Sequence, residues 1–153
     1  LVSFSLFSFA QELAIKGTFT FYKITTEMQP ILHTENAELT ITWDESCGII
    51  QHIKNSNSLE GTATHIQGEV FFYQYELDIP FNGEEREVFD IGDVVYWQSQ
   101  TDKTKFGILF MYGNTTYGDG TRPRTSSPGI KIGKVINHGT IQQIQTGEKV
   151  TLE

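Results

Sequence analysis

Three apolar runs within residues 91–136 constrain the fold more than any other feature of the sequence. They read IGDVVYW, FGILFMYG and IKIGKVI; each contains a glycine, and polar loops separate them. Short apolar runs bounded by turn residues are typical of β-strands. The middle run, residues 106–112, is almost wholly apolar, which predicts a strand that is buried on both faces.

The region before these runs predicts a hairpin and a helix. Residues 15–26 and 37–43 alternate apolar and polar side chains, as half-buried strands do, and are expected to pair across residues 28–36. Asp44 is predicted to be the N-cap of a helix. The residues expected along the apolar side of that helix are Cys47, Ile50 and Ile53.

Weaker sequence patterns predict the remaining secondary-structure elements. The acidic segment 79–90 is expected to be a solvated excursion, because it combines an Asn-Gly turn with four acids and one arginine. The other predicted elements are strands at 59–66, 69–77, 131–136 and 148–152 and a short helix or turn at 139–145. The sequence therefore predicts a mainly β protein.

The first residues suggest export. Residues 1–10 are apolar and end in Ser8-Phe9-Ala10, which resembles the end of a secretory signal peptide cut after Ala10. The alternative is a β-strand. On the first interpretation residues 11–153 form a single domain that is secreted or periplasmic. The apolar run is too short to span a bilayer, so no membrane span is predicted.

Charge and composition exclude several classes of function. The net charge of −8 would repel a phosphate backbone, so nucleic-acid binding is not expected. The single Cys47 excludes an internal disulfide, and the histidines His33, His52, His65 and His138 lack the spacing of metal ligands. The sequence contains no nucleophile elbow, Walker loop or zinc-hydrolase motif. We therefore predict no metal and no cofactor, and the sequence does not predict an oligomeric state.

A positive segment stands out in this acidic chain. Residues 102–134 contain six bases and two acids. Within them, the loop at 113–129 is long enough to suggest a function, and its Arg122 and Arg124 suit the binding of a carboxylate or phosphate. The alternative is a solvated surface of mixed charge.

The order of these elements resembles that of the small prokaryotic cyclophilin-like domains. The similarity covers roughly residues 16–153. Its most specific motifs are IGDV with YW at 91–97, FMYG at 110–113 and IGKV at 132–135. The resemblance implies a closed cyclophilin-like β-barrel of about eight strands, capped by two short helices, with a ligand groove on the outer face of the barrel.

The resemblance also bears on activity. Cyclophilins are prolyl isomerases, in which an arginine hydrogen-bonds around the prolyl amide and lowers its rotational barrier. Gln67 matches the glutamine of the cyclophilin site, and Leu109 or Phe110 would supply its apolar wall. No arginine occurs in residues 54–67, and the loop at 113–129 lacks the tryptophan and histidine of the family site. Ordinary isomerase activity is therefore not expected.

The leading hypothesis is a cyclophilin-like binding domain that holds a small anionic molecule or a peptide in a groove beside Gln67. Arg122 and Arg124 are the predicted charge partners. The further candidates are His65, Phe110 and Tyr112, and Tyr73, Tyr75 and Trp97 could line the groove with Tyr112. The alternative is that His65 is a half-buried strand residue and that these four aromatic residues belong to the core. Two other functions stay open: a divergent prolyl isomerase and a structural or interaction module.

Overall fold

A computed structural model of the chain describes residues 29–153. The signal-peptide segment at 1–10 and the predicted strand at 15–26 lie outside the described residues. Within them, the secondary structure consists of ten strands and two short helices. In chain order these are β1 (Ile31–His33), β2 (Glu38–Trp43), α1 (Ile50–Asn55), β3 (Leu59–Thr62), β4 (Thr64–Ile66), β5 (Glu69–Tyr75), β6 (Glu85–Val88), β7 (Asp93–Gln98), β8 (Lys105–Met111), β9 (Arg124–Val135), a 3-10 helix (His138–Gln143) and β10 (Lys149–Leu152).

All ten strands belong to one antiparallel sheet, which confirms the mainly β prediction. The strand order is β3-β10-β1-β2-β9-β7-β8-β5-β4, and β6 pairs with β9 beside this path. The path ends on β3 and β4, which follow one another in the chain and do not pair with each other. The closed barrel that the resemblance implies is therefore not confirmed by the strand pairing.

One face of the sheet encloses the main core. In β5, β7 and β8 the even-numbered residues point into it, because successive side chains of a strand alternate between faces. The largest fully buried side chains of this core include Tyr96, Phe72, Phe110, Ile108 and Ile132. We call this the inner face and the opposite one the outer face.

The outer face carries a second, smaller apolar cluster. Phe89, Val95, Leu109 and Met111 are buried there, and Phe71 and Trp97 pack against them. Strand β8 thus contributes to both clusters, which confirms the prediction that it is buried on both faces. Two segments contribute to the cover of the outer face. Phe89, just after β6, packs into the cluster, and Tyr117 of the loop between β8 and β9 lies beside Leu109.

The predicted solvated excursion at 79–90 is wrong. This segment forms β6, which pairs with the first half of β9. Phe89 is fully buried in the outer cluster, and Ile79 is buried in the main core. The buried hydroxyl of Tyr96 donates a hydrogen bond to the Ile79 carbonyl oxygen at 2.7 Å. The acids of the segment are solvated, but Ile79 packs in the main core and Phe89 packs in the outer cluster.

Other boundaries also differ from the predicted ones. Helix α1 begins six residues after Asp44, because the carboxylate of Asp44 accepts hydrogen bonds from the backbone and hydroxyl of Ser46 and holds a local turn. Strand β1 lies where only a loop was expected, and it pairs with β2. Strand β9 begins at Arg124, which shortens the long loop to residues 112–123.

Gly68 fixes the turn between β4 and β5. Its φ of +83° lies in the left-handed region, where a side chain is strained. A Cβ at this position would collide with the carbonyl oxygen of Asn114. The Gly68 carbonyl oxygen in turn accepts hydrogen bonds from the backbone of Tyr112 at 2.8 Å and of Gly113 at 3.1 Å. The turn and the start of the long loop therefore hold each other in place.

We expect Gly68→Ala to lower the free energy of unfolding by at least ~2 kcal/mol, because it combines backbone strain with a steric clash. Urea denaturation measures this change. Gly139→Ala is the matched control, since a Cβ at Gly139 meets no atom within 4 Å. Equal unfolding free energies for the two variants would contradict the assigned role of Gly68.

Candidate ligand cavity on the outer face

His65 and Tyr112 form a structural bridge. His65 Nδ1 lies 2.7 Å from the Ile144 carbonyl oxygen, and its Nε2 lies 2.7 Å from the Tyr112 hydroxyl. Since a carbonyl oxygen only accepts, Nδ1 carries the hydrogen and Nε2 accepts from the phenol. Tyr112 packs against the main core. Both nitrogens of the imidazole are thus occupied, and the pair connects β4 to the chain after the 3-10 helix.

Two further candidates, Phe110 and Gln67, also have structural roles. Phe110 has no exposed surface and pairs across the sheet with Val70 and Val94, so it belongs to the main core. Gln67, in the turn between β4 and β5, donates a hydrogen bond to the Asn114 carbonyl oxygen at 3.2 Å. Gln67 therefore anchors the long loop.

Arg122 and Arg124 each bind a carboxylate of this chain. Arg122 lies 2.7 Å from Asp90, and Arg124 lies 2.6 Å from Glu87. Both pairs are solvent-exposed, and exposed pairs contribute little to stability. No hydrogen bond within residues 29–153 joins either guanidinium to Gln67, and among the six predicted site residues the side-chain hydrogen bond is that between His65 and Tyr112.

Most of the remaining positive segment is paired as well. The fully buried Asp93 lies 3.3 Å from Lys131 Nζ and 3.6 Å from Lys134 Nζ. Lys105 Nζ lies 4.0 Å from the ring centroid of Tyr73, a cation–π contact. These partners account for five of the six bases, which fits the alternative of a mixed-charge surface.

A different group of residues forms a cavity on the outer face, of about 50 Å³. Strand alternation assembles its walls, because Glu69, Phe71 and Tyr73 are successive outward residues of β5. Trp97 and Leu109 come from β7 and β8. The full set of lining residues is Ile66, Glu69, Phe71, Tyr73, Trp97, Leu109, Tyr117 and Ser126.

Gly107 lies between two of these aromatic residues. It pairs with Tyr73 on one side and with Trp97 on the other, so the three positions form one row across the outer face. A Cβ at Gly107 would lie 3.1 Å from a methyl of Leu109 and 3.4 Å from the Trp97 ring. The absence of a side chain here lets Leu109, Trp97 and Tyr73 pack closely over this position.

The long loop brings Tyr117 to the cavity. The Thr115 side chain is buried, accepting a hydrogen bond from the Arg124 backbone N–H and donating one to the Arg124 carbonyl oxygen. The Gly118 N–H then donates to the Thr115 carbonyl oxygen at 3.0 Å, and the Asn114 side chain accepts from the Gly120 N–H at 2.9 Å. These bonds hold the loop in a compact form, with Tyr117 half exposed at its tip.

Glu69 gives the cavity its chemistry. Its side chain is only 3% exposed. No hydrogen-bond donor or cation of residues 29–153 pairs with its carboxyl group. Burial raises the pKa of Glu69 from 4.5 to about 7, because desolvation disfavours the charged form. The pKa of Tyr73 is also raised, first by its own burial and then by nearby Tyr117 and Glu69.

Sequence reasoning missed Glu69, although a signal was present. In EVFFYQY, residues 69–75, an acid occupies the same face of the strand as Phe71 and Tyr73. Alternation alone would have placed a carboxyl beside aromatic rings. The sequence could not show that Tyr117 of the long loop lies against that face.

Residues 29–153 contain neither a metal-ligand cluster nor a membrane-spanning helix. No group of three or more histidine, cysteine or acidic residues is arranged to hold a metal ion. Neither helix described here has the length and apolar character needed to cross a membrane.

Comparison with known proteins adds support for the fold. No protein-family model matches the sequence, and no curated protein shows significant similarity to it. Among solved structures, the chain is similar to the solution structure of the hypothetical protein AF2241 from Archaeoglobus fulgidus, with a TM-score of 0.66. The two are 23% identical over 86% of this chain and 97% of that protein. This similarity concerns the fold alone, and the cyclophilin-like resemblance stays a prediction.

The raised pKa of Glu69 predicts a pH dependence of stability. Between pH 4.5 and about 7 the folded protein keeps a proton that the unfolded chain has lost. Stability from this group is present below pH 4.5 and falls as pH rises through the folded-state value. The loss is on the order of 3 kcal/mol.

We expect Glu69→Gln to remove this loss, so the variant should gain stability over the wild type as pH rises from about 4 to about 8. Urea denaturation at several pH values tests it. Glu35→Gln, at an exposed acid, is the control and should follow the wild type. Parallel pH curves for all three proteins would show that Glu69 titrates normally.

Proposed function

We propose that this protein is a cyclophilin-like binding domain that holds a peptide against the outer-face cavity and lacks ordinary prolyl isomerase activity. The observation that carries the proposal is the cavity itself, which joins an unpaired buried carboxyl to four aromatic side chains under the long loop. Binding sites combine apolar walls with a few well-placed polar groups in this way.

Closure of the sheet into a barrel is part of the proposal. Ala63, between β3 and β4, donates a hydrogen bond to the Glu148 carbonyl oxygen at 2.8 Å and accepts one from the Gly147 N–H at 2.9 Å. These bonds support treating β3 and β4 as one bent strand. That strand would connect the two ends of the sheet, β10 and β5, and close a barrel with the cavity on its outside.

Of the two ligand classes that the sequence predicts, the geometry favours the peptide. An anion would need a free guanidinium, and both Arg122 and Arg124 have carboxylate partners. A buried carboxyl inside the cavity would also repel an anion once it is charged. A peptide offers N–H groups and apolar side chains, which match the walls.

The absence of an arginine from the cavity argues against isomerisation. The chain has three arginines, Arg86, Arg122 and Arg124, and none lines the cavity. Without such a donor the prolyl amide would keep its barrier of about 18–20 kcal/mol. The divergent isomerase therefore ranks below the binding domain, and the structural module ranks third because it gives the cavity no role.

The test is a titration of the full-length protein with a random peptide library, followed by NMR. We expect chemical-shift changes at the cavity residues and at the indole N–H of Trp97, which donates to Ser127 at 2.8 Å. Tyr117→Ala should weaken binding about tenfold, since truncated aromatic contacts dominate such interfaces. The control is Ile136→Ala, which shortens an exposed apolar side chain outside the cavity.

Three results would overturn the proposal. Peptides that bind equally well to wild type and Tyr117→Ala would place the site elsewhere. Relaxation of cis and trans proline peptides far faster than the uncatalysed tens to hundreds of seconds would instead favour the isomerase. No binding and no catalysis together would favour the structural module.

A further inference from the structure

The carboxyl group of Glu69 lacks a partner for its negative charge. It is 3% exposed and lines the cavity, and no donor of residues 29–153 bonds to it. A buried carboxylate without hydrogen bonds or a counter-ion is unfavourable, so a ligand that supplies both would gain most from this position. A positively charged N–H donor has both properties.

The aromatic walls favour the same kind of group. Phe71 and Tyr73 meet edge to face with ring centroids 5.1 Å apart, and the Tyr73 and Trp97 centroids lie 6.3 Å apart. Tyr117 adds a further ring from the loop. The faces of such rings attract cations, and a desolvated site strengthens the attraction. The ammonium of Lys105, 4.0 Å from the centroid of Tyr73, already uses one of these rings in this way.

The size of the cavity narrows the choice among cations. Its volume is about 50 Å³, which makes it a small site. A terminal ammonium fits this space, with its methylene stem leaving past the rings. A planar guanidinium could pair with both oxygens of the carboxylate, but it is bulkier than the compact ammonium, which the small cavity favours.

We propose that the cavity receives a primary ammonium group, presented by a lysine side chain of the bound peptide. The ammonium would donate to the Glu69 carboxylate, and the stem would lie against Tyr73, Trp97 and Tyr117. The inference rests on the proposed function in one respect only, namely that the ammonium belongs to a peptide.

Binding of this kind depends on pH, because only the charged carboxylate pairs with the ammonium. The other titratable groups that face Glu69 are the phenols of Tyr73 on β5 and Tyr117 on the loop. The lining residues from β4, β7, β8 and β9 do not titrate. A lysine ammonium, with an ordinary pKa of about 10.4, stays charged from pH 6 to pH 8. Affinity should therefore rise about tenfold over that range as Glu69 loses its proton.

The experiment uses Nα-acetyl-lysine methylamide and the uncharged Nα-acetyl-norleucine methylamide, titrated into the full chain by NMR at pH 6 and pH 8. We expect the lysine probe to bind at least about tenfold more tightly than the norleucine probe at pH 8. Glu69→Gln should abolish both this preference and its pH dependence. Glu35→Gln, an exposed acid-to-amide control, should leave both unchanged. Thermal unfolding of each variant checks that it is folded.

The outcomes separate this inference from the proposed function. Library peptides that bind at the cavity without a lysine preference would overturn the ammonium site and leave the peptide-binding domain in place. If the lysine probe binds through Glu69 but longer peptides do not bind, the ammonium site stands and the peptide is overturned as the ligand. Equal binding of both probes, or an unaffected Glu69→Gln variant, would also overturn the ammonium site.

Discussion

Burial of strand β8 on both faces is the constraint on which the rest of this structure depends. Its even-numbered residues fill the main core, and Leu109 and Met111 need a cover on the other side. Phe89 and the loop at 112–123 provide that cover. A loop that must cover an apolar surface is held in a definite form, and its side chains then become available for a site. The candidate ligand cavity lies where the loop meets the sheet.

The sequence predicts the strands best where their apolar pattern is strong. The apolar pattern predicts β7 and β8 as runs bounded by turn residues, and β2 by its alternation. It fails for β6, because the acids of residues 84–87 conceal the burial of Phe89. Strand β6 pairs with β9 beside the main path of the sheet, and its residues show no alternating pattern that would predict the pairing.

Site residues were harder to predict for a related reason. Side-chain type showed that His65, Arg122 and Arg124 are capable of binding, but only tertiary contacts show that each already has a partner within the chain. Glu69 is the opposite case. Its neighbours in sequence suggest an ordinary half-exposed strand, and the missing partner becomes visible only once the loop is in place.

Gly107 shows how closely the outer face of the sheet is packed. The position contributes no side chain to either apolar cluster, and Leu109, Trp97 and Tyr73 pack over its backbone. A methyl group at position 107 would press on Leu109, which also lines the candidate cavity, so this one position couples the packing of the sheet to the shape of the cavity.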